Sequence, residues 1–145
     1  YVRDVGQRLD LYRRLSGARD RDQVDEVMSE IIDRYGEAPL EAEHLGLVMT
    51  CKTYGRRLGA LAVELKGSRL AVRLGPETPL SGETAARLAT TSKGKYKLQA
   101  DRVVMSVPEP TGPDRRTQLK VCVAALGELV GIAEAKPAPA KKPGR

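Results

Sequence analysis

The sequence of 145 residues predicts an α+β fold with three N-terminal helices, a small, mostly antiparallel sheet and a closing C-terminal helix. Three observations lead to this prediction. Apolar residues recur every three or four positions in the first third of the chain, which is typical of amphipathic helices. The period falls to two on both sides of Gly67-Ser68, as in a β-hairpin. Helical spacing returns near the C-terminus, and this grouping indicates helices that cover an antiparallel sheet.

The first helix is predicted from about Asp4 to Gly17, where the glycine ends it. Arginines lie between the apolar positions, so we expect one buried face and one solvated face. The apolar positions repeat at helical spacing and are Val5, Leu9, Tyr12 and Leu15.

The second helix has the clearest sequence signals. Asp20 can cap its first turn, and Gln23 three residues later gives a pattern like a capping box. Gly36 ends the helix, because glycine readily adopts a left-handed backbone conformation. The apolar stripe predicted to face the core consists of Val24, Val27, Met28, Ile31, Ile32 and Tyr35.

The third helix opens at Pro39, where the missing N–H of proline costs nothing, and it ends near Gly59. A single stripe of this helix is predicted to point towards the core. Its members are Leu40, His44, Leu47, Val48, Cys51, Tyr54 and Leu58.

The remaining elements are shorter, apart from the last helix. Alternating runs over residues 61–65 and 70–74 predict the hairpin, residues 84–91 a short helix, and residues 96–100 and 103–107 two further strands. The closing helix is predicted from about 114 to 130. Residues 133–145 are rich in Ala, Pro and Lys without apolar periodicity, which indicates a disordered tail after a domain of residues 1–132.

Charge is unevenly distributed along the chain, which has a net charge of +6. Residues 1–50 hold seven arginines and eleven carboxylates, a net −4, whereas residues 51–133 hold 14 basic and seven acidic residues, a net +7. The tail from Glu134 adds +3. The N-terminal third therefore repels phosphate, and a whole-chain basic pI overstates any affinity for nucleic acid.

The composition places the chain among cytoplasmic proteins. No apolar run approaches the roughly 20 residues that a membrane helix needs, and no signal-peptide pattern is present. The two cysteines, Cys51 and Cys122, lie in predicted helices without motif spacing. We therefore expect two reduced, buried thiols rather than a disulfide.

The sequence predicts neither catalysis nor a cofactor in this domain. The single histidine, His44, occupies a core-facing helical position and is interpreted as structural. A metal site made of His44, Cys51 and Cys122 would need three distant positions to converge without a local motif. No phosphate-binding Gly-Lys-Ser/Thr loop and no nucleophile-elbow motif occurs. A small enzyme of another kind is the least favoured hypothesis.

Nucleic-acid binding is the main alternative. Lys93, Lys95 and Lys97 alternate beside a predicted strand, and backbone phosphates could contact them. Only Tyr96 is available there for base stacking, and the sequence has no helix-turn-helix or RNA-recognition signature. A stand-alone basic nucleic-acid-binding module stays open on these residues. The other candidate cations are Arg56-Arg57, Arg115-Arg116, Lys136, Lys141 and Lys142.

A charged edge on the second helix is the candidate contact site. Glu30, Asp33 and Arg34 lie at positions i, i+3 and i+4, so they share one side of the helix. This side is offset from the apolar stripe. The pattern fits salt bridges within a solvated face, and it also fits a contact patch that orients a partner protein.

Two groups of residues carry a family resemblance. The more specific group is Glu30-Ile31-Ile32-Asp33-Arg34-Tyr35-Gly36 with Pro39 three positions later; the other comprises Tyr1, Asp4-Val5, Arg8-Leu9, Tyr12 and Arg14. Together they resemble the C-terminal domain of the bacterial transcription-repair coupling factors, the Mfd family. Tyr35 stands where that family has Phe, a conservative change for a packing residue. The strands and last helix agree in order and length, and the tail lies outside the family pattern.

The resemblance implies a regulatory domain without catalytic activity of its own. In that family the full protein is an ATP-driven translocase on duplex DNA, which displaces stalled RNA polymerase and recruits UvrA. Its C-terminal domain is autoinhibitory: it latches onto the N-terminal UvrB-like module of the same protein and masks the UvrA-binding surface. By position, Glu30, Asp33 and Arg34 would be the latch contacts. ATP and magnesium would belong to the motor, and UvrA, RNA polymerase and DNA would be indirect partners.

Overall fold

The computed structural model describes residues 1–110 and 112–135. The helices in this part of the chain are α1 (Val5–Ser16), α2 (Arg21–Tyr35), α3 (Leu40–Arg57), α4 (Gly82–Thr91) and α5 (Arg116–Glu134). The strands are β1 (Ala60–Lys66), β2 (Arg69–Leu74), β3 (Tyr96–Gln99) and β4 (Arg102–Ser106). The predicted α+β order is confirmed. Among the described helices, none is long and apolar enough to cross a membrane.

The four strands form one sheet in the order β1-β2-β4-β3, and each neighbouring pair is antiparallel. Gly67 has a φ of +54° in the turn between β1 and β2, which confirms the predicted hairpin. A second hairpin joins β3 to β4 through Ala100 and Asp101. The sheet therefore consists of two hairpins whose inner strands, β2 and β4, pair with each other.

The predicted caps of α2 are present. Asp20 Oδ1 accepts a hydrogen bond from the backbone N–H of Gln23 at 2.9 Å. Gln23 Oε1 in turn accepts from the backbone N–H of Arg19 at 2.8 Å, one residue before the cap. Gly36 follows the helix with a φ of +88°, which L-residues rarely adopt. These local bonds fix both ends of the helix that carries the charged edge.

Two apolar clusters hold the described residues together. The larger lies between the sheet and the helices; its fully buried members include Leu58, Leu70, Val72, Leu126 and Leu129. The smaller lies among α1, α2 and α3, and it comprises Leu11, Leu15, Ala18, Val24, Val27, Ile31 and Met49. Helix α3 contributes to both clusters, with Met49 on one side and Leu58 at its end.

Helix α3 has two buried faces, whereas the sequence predicts one. The prediction that Val48 faces the core is wrong, since 46% of its surface is exposed. The second face contains Met49, Thr50 and Thr53, all at least 95% buried. The two threonine hydroxyls donate to carbonyl oxygens of their own helix, at 3.0 Å for Thr50 and 2.7 Å for Thr53. Because their polar groups are satisfied locally, these threonines pack like apolar residues.

The predicted apolar stripe of α1 is also largely wrong. Leu15 is buried as predicted, but Val5, Leu9 and Tyr12 are at least half exposed. The helix packs instead through Leu11 and Leu15, which are four residues apart on one face. On α2 the stripe is confirmed apart from its flank, where Ile32 is 44% exposed.

The predicted start of the tail at residue 133 is too early in the sequence. Helix α5 continues to Glu134, so Ala133 and Glu134 are helical, and Ala133 packs against the larger cluster. Arg57 of α3 pairs with Glu134 through two hydrogen bonds. Residues 136–145 of the predicted tail lie outside the described part of the chain.

Three glycines give a graded test of the backbone. Gly59 has a φ of +63°, and an added Cβ would lie 2.8 Å from the Cα and N of Thr78. We expect Gly59→Ala to lower the free energy of unfolding by more than about 2 kcal/mol, because strain and a backbone clash add. Gly94 also has a positive φ (+84°), but an added Cβ would meet no atom within 4 Å. We therefore expect Gly94→Ala to lower the free energy of unfolding by only about 1 kcal/mol.

Gly82→Ala is the matched control, because Gly82 lies in the first turn of α4 with open space and no positive φ. It should stabilise the chain by about 0.5–1 kcal/mol. Urea unfolding monitored by circular dichroism measures all three variants. An equal decrease in the free energy of unfolding for Gly59→Ala and Gly94→Ala would contradict the close approach of the Gly59 and Thr78 backbones.

Candidate functional site

The charged edge, defined as Glu30, Asp33 and Arg34, lies on the last two turns of α2. The structure brings two of its members together: Arg34 Nη1 lies 3.8 Å from Glu30 Oε1. Asp33 is exposed and makes no ion pair or side-chain hydrogen bond with any described residue. The edge therefore combines an internally paired acid and base with an acid whose charge is available to a partner.

Glu30 is also held from outside its own helix. Its Oε2 lies 2.6 Å from Nη1 of Arg14 on α1, and both side chains are a little over a third exposed. Sequence reasoning gave Glu30 a place on the helix edge but did not find this partner, because the two residues are 16 positions apart. One carboxylate therefore bridges two helices and also pairs with Arg34 of the edge.

Aromatic contacts fix the C-terminal end of α2. The Tyr35 hydroxyl donates to Gln7 Oε1 at 2.5 Å, and the Tyr1 hydroxyl donates to the carbonyl of Gly36 at 2.5 Å. The rings of Tyr1 and Tyr35 meet edge to face with centroids 5.9 Å apart. The Arg34 guanidinium lies 5.4 Å from the centroid of the Tyr35 ring. The charged edge is thus built on a well-anchored helix end.

Helix α2 is acidic beyond the edge itself. It carries five carboxylates and two arginines. Asp22, Glu26 and Asp33 follow one line along the helix at steps of four and seven residues, and none of the three forms an ion pair with a described residue. The exposed side of α2 therefore presents negative charge, with the exposed Ile32 as an apolar neighbour. Such a surface suits a basic partner surface with some apolar contact.

His44 has a structural environment, as the sequence interpretation expects. Its Nε2 accepts a hydrogen bond from the backbone N–H of Arg115 at 3.3 Å and lies 3.6 Å from Asp114 Oδ1. Hydrogen bonds from Arg116 lower the pKa of Asp114 to about 2, so this carboxylate stays ionised. His44 links α3 to the start of α5 through these contacts.

The two cysteines are free thiols that line a groove of about 440 Å³ between α3 and β1. Cys122 is buried as predicted, but the prediction that Cys51 is buried is wrong, since it is half-buried at this groove. Burial raises the pKa of the Cys51 thiol to about 12, and the neighbouring Cys122 adds to the shift. The charged lining residues are Lys52 and Arg56, with no carboxylate or imidazole among the lining residues. Within the described residues no cluster of His, Cys, Asp or Glu could hold a metal ion.

Seven of the cations proposed for nucleic-acid binding lie in the described residues, and four of these form side-chain contacts within the domain. Lys95 pairs with Glu128 at 2.8 Å, and Arg116 pairs with Asp114 at 3.0 Å. Arg56 donates to the backbone carbonyls of Ser16 at 2.6 Å and Ala18 at 3.0 Å. Arg57 pairs with Glu134, and the tail cations Lys136, Lys141 and Lys142 lie outside the described residues. The residues that the sequence singled out therefore do not form one basic surface.

The Arg14–Glu30 bridge can be measured with a double-mutant cycle. We expect Arg14→Gln and Glu30→Gln to couple by about 0.2–1 kcal/mol in urea unfolding, the range for partly exposed ion pairs. Arg13→Gln is the control, since Arg13 is exposed and its side chain contacts no described acid. A coupling of zero would mean that α1 does not hold the charged edge in place.

The thiols should be chemically inert in the folded chain. With a pKa of about 12, about one Cys51 side chain in 10,000 is a thiolate at pH 8, and the thiolate is the reactive form. We expect alkylation by iodoacetamide at pH 8 to be slow in buffer and fast in 6 M guanidinium. Rapid modification of Cys51 in buffer would contradict the raised pKa of this thiol and reopen a chemical role for the groove.

Comparisons with known proteins identify the family. The model of the TRCF domain family matches residues 1–85, more than half of the chain. The transcription-repair-coupling factor of Myxococcus xanthus is 38% identical over 122 residues, which are 83% of this chain and 10% of that protein. The factor of Bacillus subtilis is 36% identical over 57 residues, 39% of this chain and 5% of that protein.

A solved structure agrees in fold. The crystal structure of the C-terminal domain of a transcription-repair coupling factor has a TM-score of 0.67 and 20% identity to this chain, covering 94% of this chain and 87% of the other. The chain spans about a tenth of the length of the Myxococcus relative. With a family match over the helices that carry the charged edge, the chain belongs to the TRCF domain family of the transcription-repair coupling factors.

Proposed function

We propose that this chain is the non-catalytic, autoinhibitory domain of a transcription-repair coupling factor. In this role the charged edge of Glu30, Asp33 and Arg34 latches onto the N-terminal UvrB-like module of the same protein and masks the surface that binds UvrA. The observation that carries the proposal is a charged, solvent-facing edge on an anchored helix end, where Asp33 has no partner among the described residues.

The anchoring of α2 supports a docking role. Arg14 holds Glu30, Glu30 holds Arg34, and Tyr35 lies under the Arg34 guanidinium. Side chains that are already ordered lose less conformational entropy when a partner binds. The guanidinium keeps donors free for a carboxylate of the partner, because a planar five-donor group can serve two acceptors at once.

The charge of α2 indicates what the partner surface should offer. Five carboxylates against two arginines favour a surface with a surplus of basic residues, and Asp33 supplies the unpaired acid at the edge. Opposite charges across an interface determine orientation and speed of encounter more than affinity. A latch needs little energy: a coupling of about 1–3 kcal/mol changes access to a masked site by about 5–150-fold.

The wider activity belongs to the longer protein. There we expect ATP- and magnesium-dependent translocation on duplex DNA in the cytoplasm, displacement of stalled RNA polymerase and recruitment of UvrA. This domain would hold no cofactor and would regulate these activities by opening and closing.

Asp33→Arg in the full-length protein tests the latch most cleanly, because Asp33 has no described partner within the domain and its reversal leaves the Arg14–Glu30 bridge intact. We expect UvrA binding and ATP turnover to rise at least about 5-fold, because the closed state loses its contact. Surface plasmon resonance with UvrA and a coupled ATPase assay measure the two effects.

Glu77→Arg is the matched control, since Glu77 is an exposed acid in the connection between β2 and α4 and forms no ion pair with a described residue. It makes the same change in charge and should leave both readouts near wild type. The triple variant that replaces Glu30, Asp33 and Arg34 together should raise them at least as much as Asp33→Arg. Wild-type UvrA binding and ATP turnover in the triple variant, with the domain still folded, would refute the latch at this edge.

A further inference from the structure

The register of the sheet divides its side chains into two sets. One set, which includes Leu70, Val72 and Met105, belongs to the larger apolar cluster. The opposite set belongs to neither cluster and forms what we call the open sheet face. Its cations come from all four strands and are Lys66, Arg69, Arg73, Lys97 and Arg102.

Two arginines of the open sheet face share one carboxylate, and a third bonds the neighbouring Gln99. Arg73 Nε lies 3.0 Å from Asp101 Oδ2, and Arg102 Nε lies 3.7 Å from Asp101 Oδ1. Arg69 Nη2 donates to Gln99 Oε1 at 2.7 Å, and Gln99 is the register partner of Arg102. Two guanidiniums therefore lie against the single charge of Asp101, and the third reaches the same hairpin through a neutral amide.

Like charges lie opposite each other on this face, and the Asp101 carboxylate offsets the repulsion only for Arg73 and Arg102. Arg73 lies directly opposite Arg102, and Lys66 lies directly opposite Arg69, and like charges in such positions destabilise a sheet. The open sheet face and its turn carry five cations against Glu64 and Asp101. A bound polyanion would offset the repulsion, and arginine clusters bind phosphate oxygens with paired N–H donors.

The open sheet face favours a nucleic-acid backbone over a protein partner. Its central apolar residues, Ala71 and Val104, are over 90% buried although they belong to neither cluster, so the long polar side chains around them shield them. A protein interface needs exposed apolar or aromatic anchors, and this face offers none among its described residues. Phosphate contacts need only cations and hydrogen-bond donors.

The described open sheet face has no aromatic ring, which favours binding of duplex rather than single-stranded nucleic acid. Single strands bind through stacking of their bases on aromatic side chains. The one aromatic residue of the sheet, Tyr96, is 3% exposed and belongs to the apolar cluster on the opposite side. We propose that the open sheet face is a second binding surface, which contacts the phosphate backbone of duplex DNA through Arg69, Arg73 and Arg102, aided by Lys66 and Lys97.

Salt-dependent binding of the 145-residue chain to a fluorescent 20-base-pair duplex tests this surface. Each phosphate contact contributes about 0.9 to the slope of log affinity against log salt concentration. The variant Arg69→Gln/Arg73→Gln/Arg102→Gln should reduce the slope by about 3. Lys66→Gln/Lys97→Gln, which leaves the arginine cluster intact, should reduce it by about 2, and thus decides the matter if the triple variant unfolds. Asp101→Asn should tighten binding, because it removes the carboxylate at the centre of the cluster.

Arg3→Gln/Arg8→Gln/Arg13→Gln is the matched control, because it removes three exposed arginines from the N-terminal segment and α1. It should change the slope by less than one, and a chain of residues 1–135 should keep most of the affinity. The proposal is overturned if the control weakens binding as much as the sheet variants, or if removal of residues 136–145 abolishes binding. Tighter binding to a single strand would overturn it, and so would preferential binding to poly-L-glutamate, which would indicate an acidic protein partner.

Discussion

The packing of α3 between two apolar clusters is the constraint on which the rest of the structure depends. Its Met49 side meets α1 and α2, and Leu58 at its end meets the sheet and α5. Two glycines permit this close packing: a Cβ on Gly46 would lie 3.2 Å from the Met28 side chain, and one on Gly55 would lie 3.0 Å from Val63. The position of α2 relative to the sheet therefore depends on the packing contacts that α3 makes on its two sides.

Polar contacts extend this constraint to the surface. Arg56, at the end of α3, donates to the backbone carbonyls of Ser16 and Ala18, which closes the α1–α2 connection against α3. Arg14 and Glu30 then join the two helices near their exposed side. The N-terminal helices thus present an acidic surface, whereas the sheet presents a basic one. One domain can in this way face a basic protein surface and a phosphate backbone with different elements.

The elements of the fold were largely predictable from the sequence, because caps and periodicity are local signals. As predicted, Asp20 caps the start of α2, Gly36 follows its end, and Gly67 lies in the hairpin turn. The second face of α3 was not predictable, since Thr50 and Thr53 read as polar until their hydroxyls are seen to bond within the helix. The α1 stripe was mistaken because several apolar faces were compatible with one helix, and only packing selects among them.

The candidate sites, like the fold, were predictable only where their residues are close in the sequence. Spacing placed Glu30, Asp33 and Arg34 on one edge, but it could not show that Arg14 and Tyr35 hold that edge, since such contacts join distant positions. The open sheet face was out of reach for another reason. Its cations come from four strands, and they converge only in the register that β2 and β4 adopt. Of the basic clusters along the sequence, only Lys97 lies on this face, whereas Arg56 and Lys95 form contacts within the domain.

The most direct test of the charged edge as a docking site is a titration of the isotope-labelled chain with the UvrB-like module, followed by NMR chemical shifts. The expected result is a contiguous set of shift changes at Glu30, Asp33, Arg34 and the following Tyr35 and Gly36, with the sheet unaffected. Changes confined to the sheet or to the outer face of α1, or no changes at saturating module, would contradict an autoinhibitory contact at the end of α2.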